Sequence, residues 1–330
     1  MSKELLTLNL RLFDGAPANT TEASGMSVEM KTFYDRTLIE NAEPELIHDQ
    51  WAQTRDIPKN GGKTIEFRKY DQLPKALTPL TEGVTPAGQE MKVTKLEATV
   101  KQYGGFVALS DLLILTAIDN NIVEASELIG SQAGRTLDTI SREVMNAGTN
   151  VQYAEGQVSS RAEITPEMKL TVKAVKKAVR FLKKQNAKRI NGCFYGIINP
   201  DCSFDLTDDD KFVEAVKYKT PEKIYNGEIG MIEGVRFVET TEAKIFAEEG
   251  ASGIDVYSTL ILAANAYATT KIKGGGLETI IKQLGSAGTA DPLDQRATVG
   301  WKALKVTEIL SQQYMVRIET ASTFNDNVAN

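Results

Sequence analysis

The chain has 330 residues, of which 42% are hydrophobic and 25% are charged, a composition typical of a folded globular protein. Its 38 Lys and Arg residues are outnumbered by 44 Asp and Glu residues, and the net charge of −6 argues against a protein whose main function is to grip nucleic acid, because neutralising phosphates requires surplus basic residues. Two cysteines, Cys193 and Cys202, are too few for a disulfide framework, and a single histidine, His48, leaves little scope for metal sites or imidazole-based catalysis.

The two longest apolar stretches, residues 106–118 and 257–268, are interrupted by polar residues. Both are shorter than the roughly 20 apolar residues that a membrane-spanning helix needs. The first residues lack the apolar core and the cleavage site of a signal peptide. The sequence therefore predicts a soluble protein that is made in a cytoplasm and has no membrane partner.

The N-terminal region, residues 1–57, is predicted to be an extended arm followed by a short helix. Residues 15–27 are rich in small polar residues and lack apolar periodicity, whereas apolar residues recur on one helical face over 28–38. Such an arm becomes ordered only by lying on another surface. That surface belongs either to its own domain or to a neighbouring subunit.

Residues 58–105 predict a long hairpin. After a turn at 58–62, apolar and polar residues alternate over 64–70 and again over 93–103. This pattern indicates two strands, here joined by a long polar loop that contains Pro and Gly. Because a two-stranded hairpin is only marginally stable in water, we expect it to pack on another surface of its own chain or of a second chain.

A long helix is predicted over residues 120–147, where apolar side chains recur at intervals of three and four. It would extend about 42 Å at roughly 1.5 Å per residue. Gly130 and Gly134 each cost about 1 kcal/mol relative to Ala inside a helix. Their presence indicates that another element approaches the helix closely at that point.

The second half of the chain predicts a mixture of helices and strands. In chain order these are a helix at 166–185, a strand at 194–198, a turn at Asn199–Pro200, a helix at 208–218, strands at 235–240 and 256–263, and two or three strands within 301–320. The result is an α+β fold. A middle module, about 165–290, interrupts a second module built from the long helix and the C-terminal strands.

No reaction centre is predicted. His48 is the only imidazole base, and no nucleophile motif such as Gly-x-Ser-x-Gly accompanies it, so we interpret it as a structural or surface residue. Cys193 and Cys202 lack the further ligands of a zinc site. The glycine run 274–276 lacks the Lys and Ser or Thr of a P-loop, and Asp208–Asp210 lack the spaced ligands of a calcium loop. We therefore expect no catalytic, cofactor-binding or metal-binding residues, and we assign the three aspartates to the start of a helix.

A basic segment lies between Pro166 and Ile190, where nine basic residues accompany a single acid, Glu167. The nine are Lys169, Lys173, Lys176, Lys177, Arg180, Lys183, Lys184, Lys188 and Arg189. They could contact phosphates, or they could form a solvated face or ion pairs with another subunit. Phe181 is the only aromatic residue there, which disfavours a row of base-stacking platforms. The role of the segment stays open.

An arm, a long hairpin and a long helix present surfaces that one copy cannot fully cover, which indicates an assembling protein. The segments that carry a resemblance are residues 196–200, 227–240 and 273–277, and above all Asp291-Pro-Leu-Asp-Gln-Arg-Ala-Thr-Val-Gly-Trp-Lys302. Over nearly its whole length, the chain resembles the major capsid proteins of tailed bacteriophages with the Hong Kong 97-type fold. More specifically, it resembles the coat protein family named after phage N4.

The resemblance implies an α+β Hong Kong 97-type capsid fold with an N-terminal arm, an extended loop (E-loop) that lies over an adjacent subunit, a peripheral domain with a long spine helix, and an axial domain. The implied boundaries are 1–57 for the arm and short helix, 58–105 for the E-loop, 106–164 for the peripheral domain with the spine helix, 165–290 for the axial domain, and 291–330 for the C-terminal strands of the peripheral domain. The implied function is structural and not enzymatic. Copies would form the hexamers and pentamers of an icosahedral head that encloses double-stranded DNA.

The resemblance also implies partners and a location. Besides other copies of the chain, the expected partners are a portal and scaffolding or decoration proteins, and the enclosed DNA would be held without sequence-specific binding. The protein would be made in the host bacterial cytoplasm and would reside in the virion. Since no long helical prefix precedes the arm, we expect a separate scaffold or none.

Three alternatives stay open on the sequence. The same fold could form an encapsulin-like bacterial compartment that is loaded with an enzyme. The chain could be an enzyme of unknown type that uses His48, or it could bind DNA through the basic helix at 169–189. No motif locates a covalent Lys–Asn crosslink of the kind that some capsid proteins make.

Overall fold

The fold is described from a computed structural model. The structure describes residues 46–56, 63–70, 73–116, 121–209, 212, 231–271, 277–286, 291–326 and 328–330. Most of the predicted N-terminal arm, including its short helix at 28–38, lies outside the described residues.

Within the described residues, helices and strands alternate along the chain, as expected for an α+β protein. The α-helices are α1 (Asp111–Thr116), α2 (Asn121–Asn146), α3 (Val172–Lys184) and α4 (Pro200–Asp208). The strands are β1 (Gln53–Arg55), β2 (Thr64–Tyr70), β3 (Val93–Thr99), β4 (Lys101–Ser110), β5 (Val151–Tyr153), β6 (Phe194–Ile198), β7 (Met231–Ile232), β8 (Val235–Glu239), β9 (Ile245–Phe246), β10 (Val256–Leu262), β11 (Tyr267–Thr270), β12 (Leu277–Lys282), β13 (Arg296–Lys305), β14 (Thr307–Ile309) and β15 (Met315–Thr320). None of the described helices is both long and apolar enough to cross a membrane.

The largest sheet has seven strands, in the order β5-β15-β10-β6-β8-β7 with β9 paired to β10. Helix α3 packs on one face of this sheet. Val175, Val179 and Leu182 share one face of the helix because they are spaced at i, i+4 and i+7, and all three are buried in a common core with strand residues. We call this sheet, together with α3 and α4, the large-sheet unit.

The long helix α2 packs against a second sheet, of three strands, in the order β12-β13-β4. Ile129 and Leu137 of the helix share an apolar core with Val299 of β13. The predicted helix at 120–147 is confirmed, with bounds that differ by one residue at each end. Gly130 and Gly134 both lie on its buried face, as expected for positions where a neighbouring element is close.

A small third sheet, β1-β11-β14, lies where the two larger parts meet. Met145, near the end of α2, shares a core with Leu260 of the large sheet and with Tyr267 of β11. The long helix therefore contacts the three-stranded sheet along its length and the large-sheet unit at its C-terminal end.

One predicted helix has the wrong bounds, and one predicted turn is wrong. The helix predicted at 166–185 begins only at Val172, because Thr171 is extended and its hydroxyl accepts a hydrogen bond from the Ala174 amide as an N-cap. The predicted turn at Asn199–Pro200 is instead the start of α4: the Asn199 side chain accepts from the Asp201 amide, and proline suits the first turn of a helix.

The helix predicted at 208–218 lies mostly outside the described residues. Asp208 is the last residue of α4, and of the rest the structure describes only Asp209 and Phe212. Phe212 is helical, and its amide donates to the Asp209 carbonyl at 2.8 Å. Asp209 also caps α3, a helix that precedes it in the chain, since its Oδ2 accepts from the Val172 amide at 2.9 Å.

Four predicted strands are confirmed, and other strands were missed. The strands at 64–70 and 194–198 are confirmed with identical bounds, and those at 235–240 and 256–263 each end one residue earlier. Strands β11 and β12 were missed. The first is four buried residues without alternation, and the second stands between two glycine-rich stretches that were interpreted as a break.

A candidate assembly interface

The hairpin of β2 and β3 is anchored to its own chain at its base. Side chains alternate between the two faces of a strand, and Ile65, Phe67 and Ala98 point to the inner face. They pack with Ala268 and Val306 of the same chain. Phe67 is 0% exposed. The base of the hairpin is therefore a fixed part of the folded subunit.

The tip of the hairpin, residues 73–92, has no such cover within the described chain. It contains no helix or strand, and every residue in it is exposed. Leu77 is 81% exposed and Leu80 is 76% exposed, and Val84 and Met91 are also largely exposed. Burying one such side chain contributes about 1.5–3 kcal/mol. The tip thus presents a row of apolar groups that a second molecule can bury.

The hairpin continues directly into the three-stranded sheet. The single strand predicted at 93–103 is two strands, because the chain breaks at Val100, whose amide donates to the Lys63 carbonyl at 2.8 Å. Before the break, β3 pairs with β2; after it, β4 pairs with β13. The base of the hairpin is therefore joined directly to the three-stranded sheet.

The outer face of the hairpin is charged. Arg68 Nε donates to Glu66 Oε1 at 2.7 Å, and Lys95 Nζ lies 3.6 Å from the same oxygen. The hydrogen bond from Arg68 is the main reason that the pKa of Glu66 is lowered. The hairpin therefore has an apolar inner face at its base, a charged outer face and an apolar tip.

A second group of exposed apolar side chains surrounds α1. Leu112 and Leu115 on this helix are 66% and 83% exposed, and Leu128 of α2 and Leu293 are largely exposed as well. The Asp111 amide donates to the Gln295 carbonyl at 3.0 Å, which holds α1 at the end of β13. The chain thus carries exposed apolar groups at the far end of β4 as well as at the hairpin.

His48 is a structural residue and lies 1% exposed beside the long helix. Its Nδ1 lies 2.6 Å from Asp138 Oδ2, and its backbone amide donates to Asp138 Oδ1 at 2.7 Å. The Tyr267 hydroxyl donates to the His48 carbonyl. The histidine therefore fixes the chain segment that follows the arm onto α2, and it presents no imidazole to solvent.

The next residue, Asp49, is held by a buried lysine that the sequence analysis missed. Lys305 Nζ forms an ion pair with Asp49, and the Ser141 hydroxyl donates to Asp49 Oδ1 at 2.6 Å. Lys305 lies on the same side of β13 as Trp301 and Ala303. The alternation of that strand therefore contained the signal that Lys305 points inward.

The other residues tested for chemistry are not brought together. Cys202 is buried in the large-sheet unit and burial raises the pKa of its thiol, whereas Cys193 is partly exposed. The glycine run 274–276 lies outside the described residues. Among the residues that the structure describes, no three His, Cys, Asp or Glu side chains are arranged to hold a metal ion.

The basic segment forms the exposed face of α3 and the loop that follows it. Its first half is paired within the chain: Lys173 Nζ lies 2.5 Å from Glu155, and Lys176 Nζ lies 3.1 Å from Glu233. Its second half begins at Arg180 and is exposed at every basic residue. No carboxylate of the described residues lies within ion-pair distance of that second half.

The fold is similar to those of several solved phage capsids. The capsid of Ralstonia phage GP4 superposes with a TM-score of 0.67 at 13% identity, covering 100% of both chains. The cyanophage Pam1 capsid gives a TM-score of 0.66 at 13% sequence identity, covering 95% of this chain and 99% of that chain. The cyanophage P-SCSP1u capsid gives a TM-score of 0.62 at 14% sequence identity, covering 83% of this chain and 87% of that chain. The predicted α+β Hong Kong 97-type fold is thereby confirmed.

No curated protein sequence matches the chain. The chain does match the family described as phage capsid protein. The match covers residues 93–317, which is about two thirds of the chain. The match begins at the first residue of β3 and extends into β15. This chain belongs to the phage capsid protein family, and its function is that of a structural capsid protein.

Proposed function

We propose that this chain is the major capsid protein of a tailed bacteriophage, whose copies assemble as hexamers and pentamers into an icosahedral head around double-stranded DNA. The N4-type coat protein family is the branch that we propose, on the resemblance carried by residues 291–302. The parts of the subunit would be those set out above: an arm (1–57), an E-loop (58–105), a peripheral domain (106–164 and 291–330) and an axial domain (165–290).

The observation that carries the proposal is the difference in burial between the base and the tip of one hairpin. Its base is buried on the subunit, with Phe67 fully covered, while its tip exposes Leu77 and Leu80. A chain that folds alone gains nothing from holding apolar side chains in water. In an assembly, a neighbouring copy covers the tip, and the rigid base delivers it to the same place in every subunit.

Many weak contacts suffice for such an assembly. Each subunit in a closed shell contacts several neighbours, so contacts that are modest one at a time act together. The exposed leucines around α1 provide a second such surface on the same subunit. Together with the tip, they give the subunit apolar contacts at two separate places.

The protein would be structural and would catalyse no reaction. Its only histidine is buried against Asp138, and this supports a role without catalysis. Partners would include a portal and scaffolding or decoration proteins, while DNA would be enclosed without sequence-specific contacts and without cofactors or metals. Synthesis would take place in the host bacterial cytoplasm, and the finished protein would reside in the virion.

Electron microscopy of the purified full-length protein tests the proposal. Closed particles of uniform size, or flat sheets of hexamers, are expected. A small monomer that persists at high concentration would contradict it. Particles isolated from infected cells should contain DNA, whereas a packaged enzyme in place of DNA would support the encapsulin-like alternative.

A further inference from the structure

Charge is unevenly distributed within the large-sheet unit. Residues 168–200 contain nine basic residues and no acidic one, whereas residues 201–255 contain fourteen acidic residues and six basic ones. The net charge of −6 for the whole chain conceals this separation. The topology of the sheet decides where the two groups lie.

The basic residues that form no ion pair with a carboxylate of the described residues lie at the end of the sheet where β6 begins. The Ala264 amide, just beyond the end of β10, donates to the Lys188 carbonyl at 2.9 Å. The guanidinium of Arg189 lies 5.5 Å from the ring centre of Phe194, the first residue of β6. We define the basic end by five exposed residues: Arg180, Lys183, Lys184, Lys188 and Arg189.

Four of the acidic residues lie at the opposite end of the sheet. Glu239, at the end of β8, pairs with Ile198 at the end of β6. Glu248 lies in the loop before β10, an antiparallel neighbour of β6, so this loop is at the same end. Asp201 and Asp208 belong to α4, which starts directly after β6. We define the acidic end by Asp201, Asp208, Glu239 and Glu248.

Helix α3 separates the two ends by about 20 Å, because it has thirteen residues at roughly 1.5 Å each. This distance is more than twice the screening length of about 8 Å at physiological salt, so the two ends of one copy do not neutralise each other. The helix dipole explains why Lys183 and Lys184 suit the last turn of α3. It does not explain Lys188, which lies beyond the end of the helix.

We infer that the basic end of one copy docks against the acidic end of the large-sheet unit of the next copy in the same ring. A surface patch that meets a different patch on its neighbour generates a closed ring when it is repeated by rotation. Opposite charges at opposite ends of one unit provide that head-to-tail complementarity. The inference rests on the proposed function, since it specifies how copies meet within a hexamer or pentamer.

Binding to nucleic acid explains the same charged residues less well than binding to a second copy. DNA would be attracted by the basic end and repelled by the acidic end of the same unit, whereas a second copy satisfies both ends. Exposed ion pairs contribute little one at a time, but the contact is repeated around each ring. Assembly should therefore be sensitive to salt.

Charge reversal tests the inference. The variant Lys183→Glu/Lys184→Glu/Lys188→Glu changes the formal charge of the basic end from +5 to −1, so it has two acidic ends. The variant Asp208→Lys/Glu239→Lys/Glu248→Lys changes that of the acidic end from −4 to +2, so it has two basic ends. All six residues are exposed, so both variants should fold, as circular dichroism and thermal melting of the subunit can verify. Each variant alone should assemble about tenfold less efficiently than the unmodified chain at low salt, measured as the sedimenting particle fraction.

Two mixing experiments make the test specific. An equimolar mixture of the two variants should recover hexamers but not pentamers, because copies with two acidic ends can alternate with copies with two basic ends only in an even-numbered ring. A chain that carries all six substitutions should recover complete particles, since its ends are again complementary. A general loss of stability would be rescued by neither.

Three outcomes would overturn the inference. One is normal assembly of both variants, and another is failure of both rescues. The third is particles of normal yield from Lys183→Glu/Lys184→Glu/Lys188→Glu that package less DNA, which would assign the basic end to nucleic acid. If the unmodified chain forms no particles at all, the proposed function fails before the inference is reached.

Discussion

At the scale of single residues, the only histidine of the chain has a structural role. His48 contacts Asp138 through both its ring and its backbone amide. Composition alone indicated that one histidine leaves little scope for catalysis, which stays a prediction. The partner could not be predicted, because Asp138 lies ninety residues away, on the buried side of a helix whose apolar pattern gave no reason to expect an inward carboxylate.

Replacing this histidine should destabilise the subunit. His48→Ala removes the ring partner of a carboxylate that is 0% exposed, and breaking a buried pair on one side costs about 3–5 kcal/mol. Urea denaturation measures the loss in the free energy of unfolding. The double variant His48→Ala/Asp138→Ala should lose less than the sum of the two single variants. A loss below about 1 kcal/mol in His48→Ala would contradict the structural role.

The two cysteines should differ sharply in reactivity. Burial raises the pKa of the Cys202 thiol, and the thiolate is the reactive form, so Cys202 should resist alkylation in the native subunit. Cys193 is partly exposed and should react first. Mass spectrometry after a short iodoacetamide treatment reads out both sites. Equal labelling of the two at native conditions would be inconsistent with the buried position of Cys202, and labelling in urea provides the control.

Glu143 should make stability depend on pH. Burial, the largest influence, opposes ionisation of its carboxyl, but hydrogen bonds from Lys244 and Arg142 outweigh it and leave the pKa of Glu143 below its usual value. A lowered pKa in the folded state stabilises the fold above the unfolded value of about 4.3, and that contribution disappears as the pH falls through the folded pKa.

The variant Glu143→Gln should therefore be less stable than the unmodified chain by up to about 1 kcal/mol at neutral pH, because the pair is partly exposed. The difference should shrink below about pH 4.3. Urea titrations across this range measure it, with Glu82→Gln at the exposed hairpin tip as the matched control. A difference that does not change with pH would argue against an ionic role for Glu143.

At the scale of elements, periodicity decided what the sequence could predict. Helix α2 and strand β2 were found because their apolar residues recur with a period of about 3.6 residues in the helix and 2 residues in the strand, over the whole element. The start of α3 and the existence of α4 depend on single caps, Thr171 and Asn199, which periodicity does not reveal. Strand β12 is short and flanked by glycines, and it forms because β13 offers it an antiparallel partner.

The candidate interface was predicted in part. The sequence indicated a hairpin that needs another surface, but it could not divide that surface between the subunit and a neighbour. The division depends on Ala268 and Val306, which come from distant strands and cover only the base of the hairpin. Long-range packing of this kind leaves no local pattern.

The hairpin tip should be dispensable for folding and necessary for assembly. Leu77→Asp/Leu80→Asp should leave the free energy of unfolding of the subunit within about 0.5 kcal/mol, because both side chains are already exposed. Particle yield should fall strongly, as it should on deletion of residues 72–90. Thr85→Asp, at an exposed polar position of the same tip, is the matched control for added charge. Normal particles from the deletion would show that the tip is no clamp between subunits.

At the scale of the whole molecule, this structural capsid protein keeps a rigid body and leaves several surfaces open. Two cores and a small joining sheet fix the subunit. The apolar tip, the leucines around α1 and the two charged ends of the large-sheet unit lie outside those cores. We expect each open surface to be completed by another copy.

Amide hydrogen exchange of residues 73–92, compared between free subunits and assembled particles, tests this account most directly. In free subunits the tip has no helix or strand, so its amides should exchange rapidly. In particles, exchange should slow by at least about tenfold, while the amides of β2 and β3 should be protected in both states. Equally rapid exchange of the tip in both states, or a tip already protected in the free subunit, would contradict the claim that a neighbouring copy covers it.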